Sequence, residues 1–181
     1  PIKDLGLDLG GEQKAKLLDF SKALLQWNKR TNLISKSDES RVFSRHIVDS
    51  LSATSFLVGN SIVDIGSGAG LPGLPLAIAC PQKKFTLYER MKKRAHFMQF
   101  VIANLGIDNA QVIEAPFEEI VSKEESVNCV VSRGVGGAEV LWPIVERAIA
   151  KTGRLIVYAS THGSEEELTS KSAGKTHEGG P

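Results

Sequence analysis

The sequence predicts an α/β protein whose open, doubly wound and mostly parallel sheet follows a helical N-terminal appendage. Three observations carry that prediction. From residue 59 onward, short apolar runs rich in β-branched residues alternate with stretches of helical period. No strand signal precedes Gly59. The first apolar run, "SIVDI", ends on an aspartate and an isoleucine and empties into "GSGAGLPG", the punctuation of a tight strand-to-helix turn.

In the appendage, residues 1–58, Leu17, Phe20, Leu24 and Trp27 recur at steps of three and four, and Leu18 and Leu25 widen the stripe. That spacing predicts an amphipathic helix over residues 12–28. A second helix is expected to begin near Asp38 as its N-cap and to carry Phe43, Ile47 and Leu51 on one face. The core, residues 59–160, holds five candidate strands at 61–65, 85–89, 111–115, 127–132 and 154–159. Met91, Ala95, Met98, Ile102 and Leu105 mark a helix that Gly106 closes. A further helix is expected over 138–150, with Leu141, Ile144, Val145 and Ala148 inward. Residues 161–181 are polar and rich in Gly, Ser, Glu and Lys, the composition of a disordered tail.

The composition narrows the class. The 181 residues are 41% hydrophobic and 24% charged, within the range of soluble globular domains. Twenty-two basic and 21 acidic residues leave a net charge of +1, so any case for a nucleic-acid partner rests on local patches. Cys80 and Cys129 each sit in an apolar run, which favours buried reduced thiols over a disulfide or a metal pair, and no metal site is expected. No run approaches the roughly 18–20 apolar residues of a membrane span, and the first residues lack the pattern of a secretory signal. A cytoplasmic protein with no membrane partner is expected.

The glycine loop raises the question of ligand. In an open α/β sheet, ligands sit beyond the carboxyl ends of the strands where the strand order reverses. Gly66, Gly68 and Gly70 are spaced G-x-G-x-G, while a dinucleotide fingerprint needs glycine at 71, where Leu71 stands. Pro72 and Pro75 remove two N–H donors from the place where a pyrophosphate would be held. A ligand without phosphate, such as S-adenosylmethionine, suits this loop better than NAD. Glu89, at the end of the second strand, is placed to accept from ribose hydroxyls, as it would for either nucleoside. Asp64 either orients the loop or simply ends the first strand. Phe117 and Glu118 could meet an adenine or be core and solvated surface. Arg133, after the fourth strand, could hold a carboxylate or a nucleic-acid phosphate.

"WNKRTNLIS" (residues 27–35), "RHIVDSL" (45–51), "VDIGSGAGLPGLPLAI" (63–78) and "SRGV" (132–135) together resemble the ribosomal RNA small subunit methyltransferase G family, also called glucose-inhibited division protein B. The similarity runs in order from about residue 15 to 158. It implies a Rossmann-like methyltransferase fold that uses S-adenosylmethionine to methylate guanine N7 in 16S rRNA. Carried over from the family, the cofactor contacts would be Gly66 and Leu71 in the loop, Glu89 at the ribose, Phe117 and Glu118 at the adenine, and Arg133; Ser67, Gly68 and Gly70 are expected to join them as the rest of the bare loop. Arg133 and Asp64 would position the reactants, with no catalytic acid or base required. Lys29, Arg30, Arg45 and His46 of the appendage, with Lys92, Lys93 and Arg94, are candidate RNA contacts. The expected partner is rRNA or the small ribosomal subunit, and the expected state a monomer.

The chain departs from the family at Pro116-Phe117-Glu118, where Arg-Ala-Glu is usual, and at Ala159-Ser160, where Lys-Gly is typical. The polar tail stands where the family has closing strands, so those strands are expected to be missing. Two alternatives remain: a catalytically impaired relative that binds S-adenosylmethionine or RNA, and a nicotinamide-dependent oxidoreductase.

Overall fold

The computed structural model describes residues 2–120 and 126–159. Five strands form its sheet: β1 (Ser61–Ile65), β2 (Lys84–Tyr88), β3 (Ala110–Ile113), β4 (Val127–Arg133) and β5 (Ile149–Tyr158). Their order is β3-β2-β1-β4-β5, and all four pairings are parallel. The order reverses between β1 and β4, where Ile62 pairs with Cys129 and Ile65 with Ser132. A central parallel strand is covered on both faces, which is why β1 reads as an unbroken apolar run except for one aspartate.

Side chains alternate between two cores along these strands. Ile62, Phe85, Leu87, Cys129 and Val131 enter the larger core, while Val63, Ile65, Tyr88, Val127 and Val130 enter the smaller. Helices α1 (Gly11–Thr31), α3 (Gly73–Ala79) and α4 (Lys92–Leu105) cover the first face, and α5 (Ala138–Val145) the second. Helix α2 (Val48–Leu51) is a single turn.

The stripe predicted for α1 enters the larger core: Leu17, Phe20 and Leu24 are fully buried. Phe20 and Trp27 meet the Phe97 ring of α4 at centroid distances of 6.3 and 5.4 Å. Each large side chain buried this way is worth about 1.5–3 kcal/mol. Gln13 Nε2 donates to the carbonyls of Ile78 and Ala79, capping α3 from α1. The N-terminal helix is therefore built into the same core as the sheet. That attachment fixes where the chain after α1 runs.

Several expectations are corrected. Asp38 caps no α-helix. Residues Lys36–Arg41 form a 3-10 turn, Val42–Ile47 a π-helical turn, and only then does α2 begin. The Asp38 amide donates to the Ser35 carbonyl at 3.1 Å, and its carboxylate is engaged by side chains. The helix expected over 138–150 stops at Val145. Val127 N–H takes the Ala148 carbonyl at 2.8 Å, which draws the chain into β5 five residues earlier than the apolar pattern suggested. Leu18 and Met91 are each 48% exposed and lie off the buried stripes. Leu18 is about 100° around the helix from Leu17, and Met91 is the N-cap of α4. The expected tail, with the closing strands expected to be missing, lies outside the described residues.

Candidate active site

The site is built at the reversal of strand order. The loops after β1 and β4 bring Gly66, Ser67, Gly68, Ala69 and Leu71 opposite Arg133 and Gly134, around a cleft of about 270 Å³. This is where an open α/β sheet accepts a ligand. A third wall comes from the chain after α1: Leu33, Ile34, Ser35, Asp38 and His46. Arg94 of α4 completes the lining.

Two positions explain why glycines form the loop. Gly68 has φ +57°, and a Cβ there would meet only the Gly66 carbonyl at 3.8 Å, so it borders open space. Gly73 is packed instead. A Cβ there would stand 2.6 Å from Asp64 Oδ2 and 2.9 Å from Leu87 Cδ2.

Beneath the loop lie two carboxylates. Asp64 is fully buried, and its Oδ2 accepts the Gly73 N–H at 2.9 Å while Oδ1 has no hydrogen-bond partner. Burial pushes its carboxyl up to about 7; the Gly73 hydrogen bond, the nearby Ser67 hydroxyl, which itself donates to the Asp64 backbone carbonyl at 3.0 Å, and the charge of Arg133 pull it down only in part. Glu89 is 4% exposed. Its two oxygens accept Gly68 N–H at 2.9 Å and Met91 N–H at 2.7 Å, tying the glycine loop to the end of β2. Each oxygen keeps a second lone pair for a hydroxyl.

The start of α3 has no free donors. Pro72 and Pro75 lack N–H, Gly73 N–H goes to Asp64, Leu74 N–H to the Gly70 carbonyl, and Leu76 N–H to the Pro72 carbonyl. A pyrophosphate held at a helix start depends on such donors being free.

The third wall is held by hydrogen bonds that no local pattern announces. Asn32 turns the chain in the left-handed conformation after α1. Asn28, 3% exposed, accepts Ile34 N–H on Oδ1 at 2.9 Å and donates from Nδ2 to Glu39 at 2.7 Å. Asp38 accepts from Ser35 Oγ at 2.8 Å and lies 3.2 Å from Arg45 and 3.6 Å from Arg41. The Ser35 hydroxyl first, and then these cations, hold its carboxyl below the usual range despite some desolvation. His46 Nε2 is 3.6 Å from Asp38 Oδ2, buried and without a hydrogen-bond partner. Burial first, and Arg133 next, lower the imidazole pKa, so it is neutral at pH 7. Arg133 is anchored from the same wall by Asp49 at 3.4 Å. The Tyr158 hydroxyl donates to the Ser50 carbonyl, fastening this segment to β5.

The expected site residues therefore divide. Gly66, Ser67, Gly68, Leu71, Arg133, His46 and Arg94 share the cleft. Gly70 packs inward against Leu74 and Met98. Phe117 is half-buried against the smaller core and Glu118 exposed, both in a 3-10 turn after β3 and outside the cleft lining. Arg45 is engaged by Asp38, whereas Lys29, Arg30, Lys92 and Lys93 are exposed at the adjoining ends of α1 and α4. Cys80 and Cys129 are buried free thiols, both raised by burial, Cys129 to about 11. Among the described residues, no cluster of His, Cys, Asp and Glu is arranged to hold a metal ion, and no helix is long and apolar enough to cross a membrane. Sequence reasoning missed Asp38, Asp49 and Gly73 as parts of the site. The family-specific segments contain Asp49 and Gly73, while Asp38 was taken for a cap.

Comparison with known proteins agrees with this architecture. Residues 13–179 match the family model for rRNA small subunit methyltransferase G. The chain belongs to that family. The ribosomal RNA small subunit methyltransferase G of Methylococcus capsulatus is 32% identical over 173 residues, covering 96% of this chain and 83% of that protein. The protein of that name from Desulfitobacterium hafniense is also 32% identical, covering 93% and 72% respectively. That of Shewanella piezotolerans is 42% identical over 132 residues, covering 73% and 63%. Among solved structures, a precorrin-6Y C5,15-methyltransferase from Geobacter metallireducens superposes with TM-score 0.55 at 20% identity, covering 73% of this chain and 67% of that one. An S-adenosylmethionine-dependent O-methyltransferase from Thermotoga maritima gives 0.55 at 20%, covering 77% and 51%. At that identity the likeness speaks to the fold, which is the Rossmann-like one of these methyltransferases.

Proposed function

We propose that this chain transfers a methyl group from S-adenosylmethionine to N7 of a guanine in the 16S rRNA of the small ribosomal subunit, acting as a cytoplasmic monomer. The observation that carries the cofactor half of the proposal is the start of α3. Every N–H there is absent or already used, while Gly68 leaves open space above the loop. A phosphate-free nucleoside fits such a loop, and a dinucleotide lacks its donors. The family relationship supports the substrate half.

The residues present fit S-adenosylmethionine. Glu89 keeps acceptor capacity for ribose hydroxyls, Phe117 and Glu118 in the turn after β3 would face the adenine, and Arg133 would offer its guanidinium to the carboxylate. When bound, the cofactor supplies an electrophilic methyl on a sulfonium. Guanine N7 has an exposed lone pair, so no side chain needs to remove a proton. The protein's task is to align the two reactants and exclude water, and a loop tied down by Asp64 and Glu89 suits that task. Exposed Lys29, Arg30, Lys92 and Lys93 would meet RNA phosphates, giving binding that weakens as salt rises.

Calorimetry with S-adenosylmethionine and with NAD tests the cofactor, and heat with the first alone is expected. Tritiated methyl transfer to undermethylated 30S subunits tests the reaction, and strand scission at 7-methylguanine tests the atom. No binding of S-adenosylmethionine would refute the function. Binding without transfer would favour an impaired relative, and label on another atom would refute N7.

A further inference from the structure

Outside the cleft, the seam between α1 and α4 carries an aromatic surface that the core does not use up. Trp27 packs on Phe97 at a centroid distance of 5.4 Å and on Phe100 at 5.3 Å. Phe97 is fully buried, but Phe100 is 43% exposed and Trp27 half-buried. One exposed ring is commonplace on a soluble protein. What sets this one apart is the charge around it.

Residues 20–37 and 90–107 hold four Lys or Arg each and no Asp or Glu, in a chain that carries 22 basic and 21 acidic residues. These two stretches face each other, because the helices run antiparallel. Lys16, near the start of α1, donates to the Gly106 carbonyl at the end of α4, whereas Trp27 meets the first half of α4. Arg30, one turn beyond Trp27, and Lys93, one turn before Phe97, therefore come to the same end of the seam. Lys93 and Phe100 are seven residues apart, a spacing that returns to the same face of a helix within about 20°. Among the described residues, no carboxylate pairs with Arg30, Lys93 or Arg94. These cations also crowd the positive end of the α4 dipole, where helix stability favours acids. Arg94 belongs to the cleft lining as well, and Phe100 follows it by about 9 Å along the helix at 1.5 Å per residue. The aromatic surface thus adjoins the mouth of the cleft.

An anion without rings would use the cations and gain nothing from Phe100. An apolar protein surface would cover the ring and leave the cations unmatched. Single-stranded RNA satisfies both, since its phosphates meet the cations while an unpaired base lies on the ring. We propose that the α1–α4 seam is a stacking platform for an unpaired base of the RNA substrate: Phe100, braced by Trp27, receives the base, and Arg30 and Lys93 hold its phosphates. The proposal rests on the reading of the substrate as RNA. To the phosphate contacts of that reading it adds a base contact, made by a nucleotide flanking the one in the cleft.

The test titrates the full chain with single-stranded oligoadenylate and with inorganic polyphosphate, which has the charge without the bases. Phe100→Ala is expected to weaken oligoadenylate about tenfold or more, the loss of one stacked base, while polyphosphate stays within about twofold. Phe100→Tyr keeps a ring and is expected to bind oligoadenylate as the wild type does. Lys93→Ala is expected to weaken both ligands. Unchanged oligoadenylate affinity in Phe100→Ala, or an equal loss of both ligands, overturns the proposal. If Phe100→Ala does not fold, Phe100→Leu takes its place with the same expected outcomes, because it keeps apolar bulk without a π face. Methyl transfer to undermethylated 30S subunits separates the platform from the function: Phe100→Ala should raise the KM for the subunits. Wild-type transfer with an unchanged KM in Phe100→Ala overturns the platform alone. Wild-type protein that binds neither 30S subunits nor oligoadenylate overturns RNA as the substrate, and the platform with it.

Discussion

Replacing Asp64 with asparagine isolates the energetics of the carboxylate under the glycine loop. The side chain is fully buried, one oxygen accepts Gly73 N–H, and the other has no hydrogen-bond partner. Burial raises its pKa from 3.8 to about 7. That interval of about three pH units, at 1.36 kcal/mol each, corresponds to about 4 kcal/mol. Because the folded pKa is raised, the favourable state is the neutral carboxyl. Its contribution is fully present below pH 3.8 and is lost as pH rises through about 7. Asparagine is neutral throughout and keeps an acceptor for Gly73. Urea unfolding of both proteins from pH 5 to 8 should therefore show Asp64→Asn gaining on the wild type by about 3 kcal/mol across the range. Parallel curves would refute the assignment of Asp64 as a carboxylate buried against its ionisation.

Further outcomes are expected at neighbouring positions. Gly73→Ala places a methyl against Asp64 and Leu87 and should cost about 1–3 kcal/mol in chemical unfolding; a neutral result would contradict the packing of α3. Gly68→Val should fold with a lowered melting temperature from its positive φ, yet lose S-adenosylmethionine affinity by at least about tenfold, because its side chain projects into open space. Unchanged affinity would displace the site from the loop. Asn28→Ala strips the Ile34 amide and Glu39 of their partner, and about 1–3 kcal/mol should be missing from its thermal stability. The lowered pKa of His46 gives the fold a contribution that is full above about 6.5 and lost as pH falls through the folded value. His46→Gln should remove that acid-side decline from melting curves taken between pH 7 and 5, and an identical decline would show that His46 is not its source.

The strand-and-helix alternation was legible because the inner strands β1, β2 and β4 are buried on both faces and each long helix on one. That left apolar runs such as residues 61–65, interrupted by one aspartate, and a stripe such as Leu17, Phe20 and Leu24. The ends of elements were less legible. The arrest of α5 at Val145 depends on a hydrogen bond between Val127 and Ala148, 21 positions apart, which no window of sequence contains. Phe117 and Glu118 were left between two readings, and their half-buried and exposed positions after β3 accord with either.

The loop itself was largely written in its residues. The spacing of Gly66, Gly68 and Gly70, with prolines behind them, restricts backbone shape and donor supply, and those are local properties of the chain. Tertiary structure decided what the loop rests on and what faces it. Glu89 reaches Gly68 from 21 residues away, and Asp64 reaches Gly73. Asp38, read from sequence as a helix cap, became a wall of the cleft because Asn28 folds the chain back after α1 and Ser35, Arg41 and Arg45 take its carboxylate. Periodicity and turn chemistry reveal which surfaces must be buried and where the backbone must bend. Which charges then meet across a cleft depends on packing between segments far apart in the chain, and only the folded molecule expresses that.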